Sequence, residues 1–263
     1  MPAQLEEILS ATRRTLPALH ARRAAFERDL QDTDRSPPSF RAALLQPTVA
    51  VIAELKRRSP SAGAIREDLD PATRASLYAR SGAAALSVLT DGPFFGGSME
   101  DLRTAADNCS LPVLRKDFIL DEVQLLEARA AGASAVLLIV RVLGTAQLRP
   151  LLRFSAQLGL DAVVEVHTRA ELNLALQSEA DIVGINSRDL DTFTIDVEAA
   201  WSLLEQLPGD RVAVAESGIA SRDDVAKAAT AGADAVLVGT ALSASGSPGQ
   251  LIHELSSVAR HGR

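Results

Sequence analysis

The sequence predicts an α/β fold, a (β/α)8 TIM barrel with an N-terminal helical extension, and three observations predict it. Eight short apolar, β-branched runs follow one another from Val49 onward, and an amphipathic segment long enough for a helix lies between each pair. The joints repeat: SGAAALSV, AGASAVLLIV, LGLDAVVEV and AGADAVLVG each set a glycine at a helix end just before an apolar run, where glycine accepts the left-handed backbone that stops a helix. Eight such units over about 190 residues fit a barrel of the usual size, roughly 250 residues with extensions. A doubly wound open sheet is the competing arrangement, but it ordinarily has fewer strands, and no Gly-rich dinucleotide loop follows the first run.

The elements run in order. Residues 3–31 carry Leu5, Ile8, Leu9, Leu16, Leu19 and Phe26 at helical spacing among Arg and Glu, with an interruption expected near Pro17. The polar segment DTDRSPPSF, residues 32–40, ends that helix. The runs are then VAVIAEL (49–55), AALSVLT (84–90), PVLRKDF (112–118), AVLLIV (135–140), DAVVEV (161–166), IVGIN (182–186), RVAVAES (211–217) and AVLVGT (235–240). The chain therefore reads as a single domain, 1–263, with the extension at 1–47 and the barrel at 48–263.

Composition narrows the functions. Hydrophobic residues make up 47% and aromatic ones 3%, so the core must be built from Ala, Val, Leu and Ile. A net charge of -7 argues against a nucleic-acid binder, which ordinarily carries a basic face, and an anionic small molecule would need a local positive site. The single cysteine, Cys109, excludes an internal disulfide framework and a multi-Cys metal site and fits a reducing cytoplasm. The N-terminus lacks the apolar stretch of a signal peptide, and no apolar run approaches the roughly 18 residues of a membrane span. A soluble, cytoplasmic protein without a membrane partner is expected; protein partners are not readable.

In such a barrel the active site lies at the C-terminal ends of the strands. Glu54 and Lys56 end the first run, Lys116 the third, Glu165 the fifth, Asn186 and Arg188 the sixth, and Glu216 and Ser217 the seventh. Each charge continues an apolar row of the same parity: Ile52, Glu54 and Lys56; Leu114, Lys116 and Phe118; Val163 and Glu165; Val212, Val214 and Glu216. One Lys or Glu at a strand end is ordinarily a solvated rim residue. Five strands repeating the pattern crowd charges into one mouth, at a cost that only pairing or function offsets.

Other residues read less specifically. Ser59-Pro60-Ser61 reads equally as a plain turn. His167, close behind Glu165, is read as having the opposite parity, and so is assigned to a loop or helix start and left outside the catalytic set. Cys109 falls in a helix-to-strand connector. Arg141, just past the fourth run, fits the mouth or the rim equally. Phe94 and Phe95 follow the second run and are available to cover an aromatic substrate. After the last two runs come ESGIASRDD and VGTALSASGSPGQ, with glycine beside a small hydroxyl residue. Backbone N–H groups and helix N-termini at this position bind phosphate in many barrels, which makes Gly218, Gly239 and Thr240, with Ser217 beside them, the phosphate candidates.

These segments resemble the indole-3-glycerol phosphate synthase family. AELKRRSPSAG, LRKDFILDEVQLLEARAAGA, VVEVHTRAEL, IVGINSRDLDTFTID and AVAESGI are similar to characteristic segments of that family in the same order, over essentially the whole chain. The resemblance implies conversion of 1-(2-carboxyphenylamino)-1-deoxyribulose 5-phosphate, an anionic phosphosugar, to indole-3-glycerol phosphate, carbon dioxide and water, without metal or organic cofactor. It implies Lys116 as the general acid in ring closure and Glu165 as an acid/base in closure and dehydration. Lys56 is implied on the substrate's anionic groups or as the dehydration acid, with Glu54 positioning the lysines. Asn186 and Arg188 are implied on ribulose hydroxyls and the carboxylate, and Glu216 and Ser217 as acceptor and orienting groups. The loop led by Ser59 is implied to be a mobile cover over the substrate, and Phe118 and Phe95 to pack against the aromatic ring. The chain departs from the commonest wording at Ser187 and Asp189 around Arg188, and in ALSASGSPG after the eighth run. A class I aldolase using Lys116 or Lys56 as a Schiff-base nucleophile, and a non-catalytic binding barrel, are the alternatives. Phosphoribosylanthranilate isomerisation is disfavoured, because a Cys is expected where Glu54 and Lys56 stand.

Overall fold

Each of the eight apolar runs contains one barrel strand: β1 Ala50–Leu55, β2 Ala85–Leu89, β3 Val113–Lys116, β4 Ala135–Ile139, β5 Asp161–Val166, β6 Ile182–Asn186, β7 Val212–Glu216 and β8 Ala235–Val238. The computed structural model describes residues 3–31, 36–61 and 63–262. The strands pair in parallel in sequence order, and β1 pairs with β8 to close the barrel. Short side-chain caps start the intervening helices: Asp70, Ser98, Asp121, Thr168, Asp196 and Ser221 each accept a backbone N–H of the first turn. Caps of this kind each contribute about 1 kcal/mol. The recurring joint glycines, Gly82, Gly132, Gly159 and Gly232, all have positive φ, from 68° to 99°, as the stop signal requires.

Alternation sorts the barrel into two apolar layers. Val51, Ala53, Val88, Val136, Leu138 and Val183 face outward against the helices. Ile52, Leu114, Leu137, Val163, Val214 and Leu237 face inward and fill the lumen, so the interior is a packed core without aromatic side chains from its strands. Helix α3, Phe40–Leu44, joins this inner cluster through Phe40 and Leu44. It is tied by the Arg41 N–H, which donates to Asp161 Oδ2 at 2.9 Å where β5 begins. That contact puts α3 at the N-terminal end of the barrel, opposite the strand ends that carry the charges.

Before α3 the extension forms α1, Ala3–Ala21, and α2, Arg23–Gln31. The interruption expected near Pro17 is corrected: α1 runs through Pro17 and the break falls at Arg22. Pro17 is exposed, so the carbonyl deprived of its partner one turn earlier is free to bond water. Of the polar segment expected to end this helix, residues 32–35 lie outside the described residues; 36–39 are irregular and Phe40 already opens α3. Leu5, Ile8 and Leu9 of α1 are buried in the inner cluster, whereas Phe26 of α2 packs on Val123 and Leu126 of the helix Glu122–Ala130.

Candidate active site

Glu54 is the third inward residue of β1, and the strands on either side make room for it. It is 4% exposed; Ser87, its register partner on β2, donates to Oε2 at 3.2 Å. A Cβ at Gly239, just past β8, would fall on its carboxylate. Two residues on, Lys56 turns its Nζ back to 3.4 Å from Glu54 Oε1.

Lys116, the last residue of β3, holds the centre. Its Nζ donates to Glu165 Oε2 at 2.9 Å and lies 3.2 Å from Glu216 Oε2. Burial opposes its charge, but the carboxylates of Glu165, Glu216 and Glu54 outweigh burial and hold Lys116 protonated above the ordinary lysine value. One ammonium between two buried carboxylates fully matches only one of them. Burial acts against ionised Glu165 as well, yet Lys116, His167 and the Asn186 amide bring it down to about 2. Glu216 goes the other way: burial and the nearby Glu165 charge push it up to about 7 against the pull of Lys116. Gly184 on β6 has no Cβ where one would strike the Glu216 carboxylate. Both Glu216 oxygens are buried, and the carboxylate meets Lys116 as an ion pair without an aligned hydrogen bond within the described residues.

Above these groups lies a cleft of about 880 Å³, counting its part open to solvent. All eleven residues expected in catalysis or substrate binding line it: Lys116, Glu165, Lys56, Glu54, Asn186, Ser59, Phe95, Phe118, Arg188, Glu216 and Ser217. Gly218, Gly239 and Thr240 do not line it. Gly218, with φ of 74°, leaves out a side chain that would press on Val197, and Ser217 beside it has φ of 64°, so two successive residues adopt the left-handed conformation. The loop led by Ser59 is tied down in this structure. Arg58–Ser59 pairs antiparallel with Gly63–Ala64, Arg57 grips both Asp101 oxygens at 2.6 and 3.0 Å, and Arg58 donates to the Gly92 and Pro93 carbonyls. Among the described residues, no group of three or more His, Cys, Asp or Glu is placed to hold a metal ion.

The model of a family described as indole-3-glycerol phosphate synthase matches residues 5–255. An indole-3-glycerol phosphate synthase of Albidiferax ferrireducens is 43% identical over 97% of this chain and 98% of its own length. The chain belongs to the indole-3-glycerol phosphate synthase family. Relatives with the same name from Koribacter versatilis, 44% identical over 97% of this chain and 99% of theirs, and from Leptospira interrogans, 50% identical over 77% and 80%, agree. A solved thiamine phosphate pyrophosphorylase from Pyrococcus furiosus has a TM-score of 0.57 at 18% identity, covering 81% of this chain and 95% of its own, and shows the barrel fold alone.

Three features of this family member were not anticipated in the sequence. Leu5 and Ile8 of α1 line the cleft, although their helical spacing only announced a buried face. Leu190 and Phe193, on the loop after β6, complete the apolar wall. His167 stands between β5 and the next helix, as expected, but the parity reading requires a correction: two residues past Glu165 it has the same parity, its side chain is buried, and Nε2 lies 3.4 Å from Glu165 Oε1. The parity rule that selected Glu165 was the signal for it. Arg141, which the sequence left equally at mouth or rim, points away from the cleft lining to Glu171 and Asp189.

Proposed function

We propose that this barrel converts 1-(2-carboxyphenylamino)-1-deoxyribulose 5-phosphate to indole-3-glycerol phosphate, carbon dioxide and water, a carboxy-lyase reaction of tryptophan biosynthesis. The observation that carries the assignment of roles is the Lys116 ammonium held by Glu165 and Glu216 at the cleft floor. Ring closure needs a proton on the ketone oxygen as the aryl carbon attacks it, and Lys116 is a charged donor placed for that step. Restoring aromaticity expels carbon dioxide. Dehydration then needs a base for the ring proton and an acid for the departing hydroxyl, roles taken by Glu165 and by Lys56 or Lys116. Glu54 orients Lys56. Asn186, Arg188 and Ser217 hold substrate oxygens, and Ser59 covers them from its loop. Phe95 and Phe118 contact the aromatic ring. The phosphate meets the backbone at Gly218, Gly239 and Thr240, a reading supported by the consecutive left-handed residues Ser217 and Gly218.

The same reading treats 48–263 as the catalytic barrel and 1–47 as an extension serving it within one domain, which the burial of Leu5 and Ile8 at the cleft supports. It carries no cofactor and no nucleic-acid partner, and it implies a cytoplasmic location, consistent with a single cysteine. A Schiff-base role for Lys116 is disfavoured, because that chemistry needs a neutral amine.

The test is a continuous indole-fluorescence assay with the carboxyphenylamino-deoxyribulose phosphate. Turnover by the parent is expected, reduced about 10²- to 10⁴-fold in folded Lys116→Met and Glu165→Gln. Near-parent rates in Lys116→Met would remove the proposed acid.

A further inference from the structure

Glu165 has two oxygens, and only one faces Lys116. The other, Oε1, faces His167 Nε2 at 3.4 Å, and the imidazole is 4% exposed. The far side of the ring is fixed. His167 Nδ1 stands 3.3 Å from Glu171 Oε2, which also accepts the His167 backbone N–H at 2.7 Å. Glu171 Oε1 in turn accepts from Arg141 Nε at 3.0 Å, and Arg141 Nη1 reaches Asp189 Oδ2 at 3.1 Å on the loop after β6. The four elements in this chain are β5, the helix Arg169–Gln177, the helix Val140–Gln157 and the loop that bears Arg188.

The arrangement fixes a protonation state. A carboxylate only accepts, so Nδ1 must donate to Glu171. A neutral ring would then aim a bare Nε2 lone pair at another carboxylate. Protonation removes that clash: Nδ1 donates to Glu171, and Nε2, which makes no aligned hydrogen bond in this structure, presents its N–H and charge to Glu165 as an ion pair at 3.4 Å. Burial opposes the added charge, and Arg141 opposes it too, but the Glu171 hydrogen bond and the Glu165 and Glu171 charges raise His167 above its ordinary value.

We propose that His167, oriented by Glu171, is a positioning residue for Glu165: its imidazolium holds Oε1 so that Oε2 faces Lys116 and the substrate, and it keeps the carboxylate ionised. The proposal rests on the acid/base reading of Glu165 given above. His167 does not itself line the cleft and works only through the Glu165 carboxylate, which does. Without it, Glu165 is expected to bind a proton at higher pH and to lose its fixed orientation.

The experiment combines rate profiles with proton NMR titration of the imidazoles, of which the chain has four: His20, His167, His253 and His261. His167→Gln, whose amide nitrogen keeps a neutral donor near Glu165, is expected to leave KM within about twofold. It should lower kcat by roughly 10- to 100-fold, part of the 10²–10⁴ that an acid/base group supplies, and move the acid limb of kcat/KM to higher pH. His167→Asn, too short to reach Glu165, should fall further. Independently of any turnover, the His167 resonance should titrate at lower pH in Glu165→Gln than in the parent. An unmoved His167 titration in Glu165→Gln overturns the proposal, even if His167→Gln fails to fold. A pH profile of His167→Gln that superposes on the parent also overturns it. Full activity in Glu165→Gln would instead defeat the acid/base reading itself, while the NMR shift would still report whether the contact exists.

Discussion

Glu216 and Gly184 show how much of this site depends on a side chain that is missing. Gly184 is inward-facing on β6, and the Glu216 carboxylate from β7 occupies the space where its Cβ would be. Gly184→Ala must therefore push Glu216 off Lys116 or distort β6. We expect kcat to fall at least tenfold, with a loss of about 1–3 kcal/mol in stability from overpacking. Steady-state kinetics and urea unfolding check both, and a parent-like kcat would mean that Glu216 is not needed where it stands. The four carboxylate and lysine positions Glu54, Lys116, Glu165 and Glu216 were legible because each ends an apolar row of fixed parity, a strictly local property. Their accommodation by Gly184 and Gly239 was not, because it joins neighbouring strands whose contact depends on barrel register. His167 was legible by the same parity, and it was set aside because residues 165 and 167, two apart, were read as lying on opposite faces. A residue between a strand and the next helix can still face the site, as His167 does here beside Glu165.

At the scale of elements, the strands were legible because each buried run is short, β-branched and bounded by turn residues. The helices between them were legible through their amphipathic composition, their length and their terminal glycines, while the side-chain caps that start them emerged only in the structure. What the pattern could not give is where α1 docks, since an amphipathic helix announces an apolar face but not the surface that covers it. The structure puts Leu5 and Ile8 at the cleft and Phe26 of α2 against a barrel helix instead. This division can be tested. Leu5→Ala removes part of the apolar wall, and a change of KM by about tenfold is expected, the usual size for a lost apolar contact. Phe26→Leu should lower stability while leaving KM at the parent value. Equal KM values in the two variants would show that α1 stabilises the barrel without contacting substrate.

The closed barrel gathers charges that four separate strands could not bury alone, and the whole molecule should show it in its response to pH. Glu165 is held down to about 2 by Lys116, His167 and Asn186 in spite of burial. Its contribution to stability is present above the ordinary value near 4.5 and is lost as pH falls toward 2. Glu216 has the opposite sign: burial first, and then Glu165, raise it to about 7. The folded chain keeps a proton there that the unfolded chain releases above about 4.5, so that contribution is present in acid and lost as pH rises through 7. His167, also raised, acts in the same direction from its ordinary value near 6.5 upward. Between pH 5 and 8 these two groups make the parent progressively less stable. For Glu216 the linkage amounts to about 3 kcal/mol across the interval. Glu216→Gln preserves the shape and removes the titration, so its urea midpoints at pH 5, 6, 7 and 8 should decline less than those of the parent. The two curves should lie closest at pH 5, where Glu216 still carries its proton, and separate as pH rises. Parallel curves would mean that Glu216 is ionised throughout, leaving Lys116 flanked by two full carboxylate charges.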